Sequence, residues 1–249
     1  MTGFSKKMSN LSYGPADSIA HYLPYFYDIA VECPYGLPQT AVYRQQQFVS
    51  LPDELFGRFL QAGFRRNGNT IYSMVCPRCR KCLPIRIDAG EFIPNRNQKR
   101  VLRRNGDLTV AMGPLKITEE KLLLCGRFLE QRYPLKGNSA EGYYGSFFAN
   151  SVTNTVEVEY RLGDRLIGVA IVDIGCSWLN AVYFYFDPEA STRSPGTFNI
   201  LHLLELGRRN NINHIYLGYL IREVRAMRYK ENFKPHFLLI NGEWVNGSR

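Results

Sequence analysis

Three cysteines lie close together in the sequence, at the spacing of a metal-binding knuckle. Cys76, Cys79 and Cys82 form a C-x2-C-x2-C run, and Cys33 is a candidate fourth ligand. Four thiolates suit tetrahedral zinc or an iron–sulfur cluster, and the basic side chains within the knuckle would offset their negative charge. Reduced thiols that pack a small core would give the same pattern. The cysteines therefore predict a metal site, with free thiols as the alternative.

A basic segment surrounds the cysteine knuckle and is a candidate binding surface for a polyanion. Between Arg58 and Arg104 there are twelve Lys and Arg residues against two acidic residues, in a chain of formal net charge +9. This concentration of charge favours nucleic acid or a phosphate-rich surface, although a solvated face would have the same composition. On a helix or an extended arm, successive basic side chains could follow successive phosphates. We call these residues the basic ladder: Arg96, Lys99, Arg100, Arg103 and Arg104.

A helix in the second half of the chain is predicted to begin in a segment suited to anions. Arg193 precedes Gly196 and Thr197 there, and the free N–H groups and dipole at a helix start could accept a phosphate or a carboxylate. The segment lacks the R-x-x-G-x-G/A run that is typical of coenzyme A-dependent acetyltransferases. Coenzyme A is therefore not expected as a cofactor.

The elements that must position these groups follow from hydrophobic periodicity and turn signals. Helices are predicted at 53–62, from the cap at Thr118 to Pro134, at 196–210 and at 222–232. Strands are predicted at 70–74, 83–88, 155–162, 165–174, 178–186 and 214–219. In the second half the order is β-β-β-α-β-α, that of an acetyltransferase-like domain with a mixed, mostly antiparallel sheet and a cleft where two central strands splay. The predicted class is α+β, with a cysteine-containing and basic region at 1–110 and an acetyltransferase-like domain at 111–249.

Composition and segment patterns restrict the class of protein. The chain has 249 residues, of which 45% are hydrophobic and 21% charged, values that exclude a disordered or fibrous protein. Residues 1–10 lack the apolar core of a secretory signal, and the apolar stretch 166–186 has the alternation of two buried strands, not of a membrane span. We therefore expect a cytoplasmic protein with reduced thiols and no membrane contact.

Four stretches of this sequence together resemble the bacterial aspartate/glutamate leucyltransferases and their relatives, the eukaryotic arginyl-tRNA-protein transferases. The stretches are 33–35, 63–66 with 76–87, 98–108, and 183–198 with 216–235. The resemblance implies transfer of an aminoacyl group, leucine or arginine, from charged tRNA to the α-amino group of a protein whose first residue is Asp or Glu. This transfer would mark the protein for degradation. The tRNA would be bound through Lys99, Arg100, Arg103 and Arg104.

The implied reaction needs no strong base, because an α-amine has a reference pKa of about 7.7–8.0 and is partly neutral at cytosolic pH. Alignment of the amine with the ester, and donors aimed at the tetrahedral oxyanion, would supply most of the catalysis. We expect Tyr219 and strand-end N–H groups to line the carbonyl, and Asp187 or Glu159 to help the amine lose its proton. A cation should bind the acidic side chain of the acceptor, and the candidates are Arg222, Arg225 and Lys230.

The identity of the donated residue stays open at this point. An arginyl donor would need a buried acid in its pocket, for which Asp173 and Glu157 are available, whereas a leucyl donor would need an apolar pocket. Two other functions also remain: a noncatalytic metal-containing RNA-binding module, and an N-acetyltransferase with an unusual donor. Four residues depart from the family pattern: Gly36, Pro195, Leu220 and Ala226. Three of these departures, Gly36, Leu220 and Ala226, bear on donor or acceptor specificity.

Overall fold

The computed structural model describes residues 18–134 and 137–248 of the chain. Its strands form two β-sheets, of which the smaller is antiparallel and has the order β1-β2-β4-β3. The strands of this small sheet are β1 (Tyr27–Glu32), β2 (Thr40–Gln47), β3 (Arg65–Asn67) and β4 (Thr70–Met74). The strand predicted at residues 70–74 is therefore confirmed.

Helix α2 connects the small sheet to the rest of the molecule. It spans Asp53–Gln61, within one residue of the prediction, and follows the short helix α1 (Ile19–Tyr22). Gly63, at φ +89°, stops the helix in a conformation that other residues rarely adopt. The apolar side of α2 is buried against residues of both sheets, and Phe56 stacks on Trp178 with ring centroids 5.0 Å apart.

The large sheet has eight strands in the order β12-β11-β5-β10-β9-β8-β7-β6. Its neighbours are antiparallel, except that β9 and β10 run parallel. The predicted three-strand meander is confirmed as β7 to β9. The strands are β5 (Leu83–Asp88), β6 (Thr109–Pro114), β7 (Thr155–Leu162), β8 (Arg165–Ile174), β9 (Trp178–Phe186), β10 (His214–Leu220), β11 (Phe237–Ile240) and β12 (Glu243–Asn246).

Helices cover both faces of the large sheet, so the α+β class and the mixed sheet are confirmed. On one face α3 and α6 pack over a core that includes Ile85, Val172 and Leu203. On the other face α4 and α5 pack over a core that includes Phe128, Phe148 and Tyr185. The helices are α3 (Arg96–Arg104), α4 (Glu119–Arg132), α5 (Ala140–Gly142), α6 (Pro195–Arg209) and α7 (Arg225–Arg228).

One predicted helix is wrong in its extent. Residues 222–232 do not form a single helix, because α7 is limited to Arg225–Arg228 and a 3₁₀ turn follows at Tyr229–Asn232. The preceding residue, Val224, is extended and offers no side-chain cap, while Tyr229 and Phe233 turn into the core of the large sheet. This turn carries Lys230.

None of the helices in the described ranges is both long enough and apolar enough to cross a membrane. The segment 166–186 forms β8 and β9, as its alternation predicted.

Candidate active site

The large sheet opens between β9 and β10. These strands pair over three positions, from His214 with Trp178 to Tyr216 with Asn180. Beyond Tyr216 the described part of β10 has no ladder partner on this side, and residues 181–184 of β9 are partly exposed. We call the space between residues 181–186 and 217–220 the β9–β10 opening. Beyond this point the backbone groups of the two strands do not pair with each other.

The β10 side of the opening contains a bulge at Gly218. The register against β5 shifts between Tyr216 and Tyr219, and Gly218 has φ +74°. Two cationic side chains bind the carbonyl groups at this bulge. Arg65 Nη2 donates to the Gly218 oxygen at 3.0 Å, and Lys230 Nζ donates to the Tyr219 oxygen at 2.8 Å. The bulge therefore brings two basic side chains to adjacent peptide groups.

Arg65 is buried and has an unusual set of partners. Its side chain donates to the carbonyl groups of Leu60 and Phe64, and its guanidinium lies 5.6 and 5.5 Å from the ring centroids of Tyr216 and Tyr219. Its Nε is buried without a hydrogen-bond partner. Within the described residues no carboxylate forms an ion pair with it, so its charge is met by peptide oxygens and aromatic faces alone.

Lys230 is partly buried, and its amine faces the same bulge. Burial, and then the nearby charge of Arg65, lower the pKa of Lys230 to about 7. A Cβ atom placed on Gly218 would lie 3.9 Å from Lys230 Nζ, which is an ordinary contact distance. A side chain at Gly218 would therefore touch the lysine amine.

The start of α6 borders the same region. Ser194 precedes it with φ +57° and provides no side-chain cap, so the first N–H groups of α6 have no hydroxyl partner from that residue. A Cβ on Gly196 would lie 3.9 Å from the Tyr229 hydroxyl, which places the helix start beside the turn that carries Lys230. Thr197 N–H donates to the Ser194 carbonyl at 3.0 Å. Arg193 binds Asp107 with both terminal nitrogens at 2.8 Å and so is directed towards β6.

The three residues predicted to catalyse the reaction do not converge on the opening through their side chains. The Tyr219 phenol is buried, donates to the Gly63 carbonyl at 3.4 Å, and has its pKa raised by burial. Asp187 is buried, accepts the Glu189 N–H at 3.1 Å and pairs with Arg165 at 2.5 Å.

Glu159 lies on β7, two strands from β9. Burial opposes its ionisation, but hydrogen bonds from Lys121 and Arg161 outweigh that effect and hold its pKa below the ordinary value. Asp187 and Glu159 are thus already paired with cations.

The cations predicted to bind the acceptor are in different environments. Arg222 is exposed and pairs with Glu231 at 2.5 Å. Arg225 lies on the exposed side of α7. Lys230 reaches the opening. The structure therefore brings Lys230 to the site, together with Arg65, which the sequence analysis did not single out.

The basic ladder lies on α3, so the helical alternative is confirmed. Asn95 and Gln98 form a capping box at its start, and the ladder residues are exposed. The end of α3 is fixed to the segment that precedes α6, because Asn105 donates to the Arg193 carbonyl at 2.9 Å and Arg104 donates to the Thr192 carbonyl. The ladder is therefore held next to the start of α6.

The four cysteines of the predicted metal site lie near one another beside the small sheet. Burial, followed by the neighbouring thiols of Cys76, Cys79 and Cys33, raises the pKa of Cys82 to about 12. Cys76 Sγ accepts the Val42 N–H at 3.4 Å. Nevertheless, no three His, Cys, Asp or Glu side chains in residues 18–134 and 137–248 are arranged so that they could hold a metal ion. In this arrangement the thiols do not fit a metal.

Comparison with known proteins identifies the family of this chain. Family models described as "Arginine-tRNA-protein transferase, N terminus" and "C terminus" match residues 31–100 and 120–240. A protein of Thiobacillus denitrificans named aspartate/glutamate leucyltransferase is 36% identical over 237 residues, which cover 92% of this chain and 95% of the relative. The chain belongs to the arginine-tRNA-protein transferase family. An Aeromonas hydrophila protein of the same name is 38% identical over 216 residues, 82% of this chain and 89% of its own.

Solved structures similar to this transferase are distant. FemX has a TM-score of 0.41 at 8% identity and covers 78% of this chain and 79% of its own. L-PGS from Bacillus licheniformis has a TM-score of 0.41 at 9% identity and covers 67% of this chain and 49% of its own.

The two family regions of the transferase meet at the opening. Arg65 lies in the N-terminal match, whereas Gly218 and Lys230 lie in the C-terminal match. Composition alone did not distinguish Arg65 among the basic residues of its segment. The signal that could have found it is its place in the 63–66 stretch of the family resemblance.

Proposed function

We propose that this chain transfers leucine from charged tRNA to the α-amino group of proteins that begin with Asp or Glu. The observation that supports the proposal most directly is the charge of the β9–β10 opening. Arg65 and Lys230 bring positive charge to it without a carboxylate partner in the described residues. Positive charge suits an acidic acceptor and disfavours an arginyl donor. Relatives of this chain carry the name aspartate/glutamate leucyltransferase.

The buried acids also favour leucine over arginine. Asp173 accepts two hydrogen bonds from Arg66, at 2.8 and 2.7 Å, and Glu157 is paired with Lys121. Neither carboxylate is available to bind the guanidinium of an arginyl donor. Beside the opening, Ala181 and Phe184 of β9 pack against one core of the large sheet, and Val182 and Tyr183 pack against the other. The strand therefore offers apolar atoms to an isobutyl side chain.

The reaction can proceed without a strong base in the protein. The acceptor nitrogen attacks the carbonyl carbon of the leucyl ester, a C–N bond forms, and the C–O bond to the terminal ribose of the tRNA breaks. The proton that the amine loses goes to the departing ribose oxygen, so protons balance within the substrates. The protein contributes alignment of amine and ester, a term worth roughly 7–11 kcal/mol in well-oriented reactions.

The residues predicted for catalysis fit positioning roles in this scheme. Tyr219 contributes its peptide group at the bulge, while its phenol binds the Gly63 carbonyl. Asp187, paired with Arg165, fixes the turn that leads into α6. Glu159 binds Lys121 and so connects β7 to α4. We assign Gly196 and Thr197, in the first turn of α6, to the 3′ end of the tRNA.

The basic ladder suits the tRNA. Lys99, Arg100, Arg103 and Arg104 are exposed on α3, and the contacts of α3 with residues 192 and 193 hold them next to α6. If each of these side chains neutralises one phosphate in a duplex region of the tRNA, each should steepen the fall of log affinity with log salt concentration by about 0.9. Arg100→Gln and Arg103→Gln should each lower this slope by about that amount, whereas Arg209→Gln, on the far end of α6, should leave it unchanged.

We further propose finer features that accompany this function. The large sheet with its opening would be an acetyltransferase-like domain at 111–249, preceded by a cysteine-containing and basic region at 1–110. The protein would act in the cytoplasm, where charged tRNA is available, and its product would be directed to proteolysis. A zinc ion or an iron–sulfur cluster on the four cysteines stays a prediction. Metal content and the visible spectrum of anaerobically purified protein test it, and a colourless, zinc-free protein contradicts it.

Transfer of radiolabelled leucine or arginine from matched charged tRNAs tests the main proposal. Peptides that begin with Asp, Glu and Ala serve as acceptors. We expect label on the Asp and Glu peptides from leucyl-tRNA. Label from arginyl-tRNA alone would contradict the leucyl assignment. Binding of tRNA without any transfer would favour the RNA-binding module.

A further inference from the structure

Two basic side chains, neither of which pairs with a carboxylate of the described residues, donate to adjacent peptide groups of β10. Arg65 reaches the Gly218 oxygen at 3.0 Å from β3, and Lys230 reaches the Tyr219 oxygen at 2.8 Å from the turn after α7. Arg65 is 4% exposed. Carbonyl groups satisfy only part of its donor capacity, because its Nε is buried without an acceptor. A buried guanidinium normally has an anionic partner, since removing its charge from water is costly.

Gly218 brings no side chain to the bulge, and the first atom placed on it would touch the Lys230 amine, 3.9 Å away. Its φ of +74° is a conformation that residues with a Cβ rarely adopt. The other predicted cation near this turn, Arg222, is already paired with Glu231. An anion at the bulge would therefore meet Arg65 and Lys230 and not Arg222.

We propose that Arg65 and Lys230 together form the binding site for the side-chain carboxylate of the first residue of the acceptor protein. This inference rests on the proposed function. The carboxylate lies over Gly218 and accepts hydrogen bonds from the Arg65 guanidinium and the Lys230 ammonium group. The acceptor α-amine, which is attached to the same residue, is thereby directed into the β9–β10 opening. Asn and Gln side chains have the same shape but lack the charge, so the site discriminates by charge.

The site also predicts that binding takes up a proton. In the free protein the pKa of Lys230 is about 7, because it is buried and faces Arg65. A bound carboxylate favours the charged amine and raises this pKa. Between about pH 7 and the higher pKa of the complex, the amine is neutral in the free protein and charged in the complex. Affinity is therefore greatest below about pH 7 and falls as the pH rises, by at most about tenfold per pH unit.

Binding of short peptides in the absence of tRNA tests the site without requiring turnover. Labelled peptides that begin with Asp or Asn and are otherwise identical are titrated by fluorescence anisotropy. Wild-type protein should bind the Asp peptide about tenfold to hundredfold more tightly, the range expected for hydrogen bonds to charged groups. Arg65→Gln and Lys230→Met should each remove most of this preference. Arg209→Gln, which removes an exposed charge on α6, should retain it.

Replacing Lys230 with arginine separates a binding role from a structural one. Titration calorimetry at pH 8 in two buffers of different ionisation enthalpy measures proton uptake. Wild-type protein should take up a proton with the Asp peptide. Lys230→Arg should keep the preference for Asp without proton uptake, because arginine stays charged. This result is not expected if Lys230 only supports the fold, and it does not depend on whether Arg65→Gln folds.

The outcomes distinguish failure of the site from failure of the proposed function. Equal affinity of wild-type protein for Asp and Asn peptides would overturn the site, even if leucine is transferred. Full Asp preference in both Lys230→Met and a folded Arg65→Gln would also overturn it. Preferential Asp binding that depends on both residues, without transfer from any tRNA, would keep the site and reject the transferase function.

Discussion

Arg65 and Arg66 are neighbours in β3, and both are almost fully buried, yet their surroundings differ. Arg66 binds Asp173 with two N–H groups at 2.8 and 2.7 Å, and it also donates to Thr155 and to the Phe147 carbonyl. Within residues 18–134 and 137–248, Arg65 meets only carbonyl groups and aromatic rings. Burial alone therefore does not separate a structural cation from a functional one. The nature of the partner does.

The difference has an energetic meaning. The Arg66 network connects β3 of the small sheet with β7, β8 and β9 of the large sheet through Thr155, Asp173 and Asn180. Breaking a closed buried pair leaves an uncompensated charge and is strongly destabilising. Arg65 is already uncompensated, so its removal should affect ligand binding more than stability. Four substitutions test this contrast.

Asp173→Ala should have the largest effect. It leaves Arg66 buried without its counter-ion, and we expect a loss of about 3–5 kcal/mol in the free energy of unfolding. Urea titration measures it. The double variant Arg66→Met with Asp173→Leu should recover much of this loss, because an apolar pair of similar volume carries no desolvation cost. A loss below about 1 kcal/mol for Asp173→Ala would mean that the pair is not closed in solution.

Thr155→Val should have the next largest effect. The Thr155 hydroxyl donates to Asp173 at 2.6 Å and accepts from Arg66 at 3.2 Å. Valine keeps the shape but removes a hydrogen bond to a charged group, worth about 1.5–3 kcal/mol. Urea titration should show this loss in the wild-type background and a much smaller one when Arg66 and Asp173 are both apolar. Equal losses in the two backgrounds would show that the hydroxyl acts outside the network.

Arg65→Gln should change stability by less than about 1 kcal/mol, since relief of a buried charge offsets the lost hydrogen bonds to carbonyl groups. Thermal and urea unfolding measure this directly. A loss as large as that of Asp173→Ala would make Arg65 a structural residue like its neighbour and would remove the contrast.

Arg209→Gln should have the smallest effect, below about 0.5 kcal/mol. Arg209 pairs with Glu205 at 2.8 Å, but its side chain is 75% exposed. Water and salt screen such pairs. Urea unfolding at low and at high salt should give nearly the same small difference in the free energy of unfolding from wild type. A loss above about 1 kcal/mol would show that an exposed pair can stabilise this protein as much as a buried one.

Much of the fold was accessible from the sequence because its signals are local. Helix α4 begins at the Thr118 cap, which accepts the Lys121 N–H, and ends before Pro134. The alternation of apolar residues and the Gly163 turn identified β7 and β8. Helix α6 was predicted within one residue at each end.

The remaining features depend on contacts between distant parts of the chain. Arg65 and Arg66 are indistinguishable by type, and the carboxylate that separates them is residue 173. Asp187 and Glu159 are acidic residues at suitable positions in the sequence. In the fold, however, Asp187 pairs with Arg165, and Glu159 pairs with Lys121 and Arg161. Patterns within a window of residues do not reveal such pairings. For the same reason the sequence indicated Lys230 but not the residue that shares its site.

Strand β5 has a consequence for how the gene can be divided. It comes from the region matched by the N-terminal family model, yet it lies between β10 and β11, which come from the region matched by the C-terminal model. A polypeptide that starts at residue 111 would have two unpaired inner edges in place of a continuous sheet, and exposed edges of this kind promote aggregation. Split at this point, the gene should yield soluble protein only when both halves are produced together in the same cell.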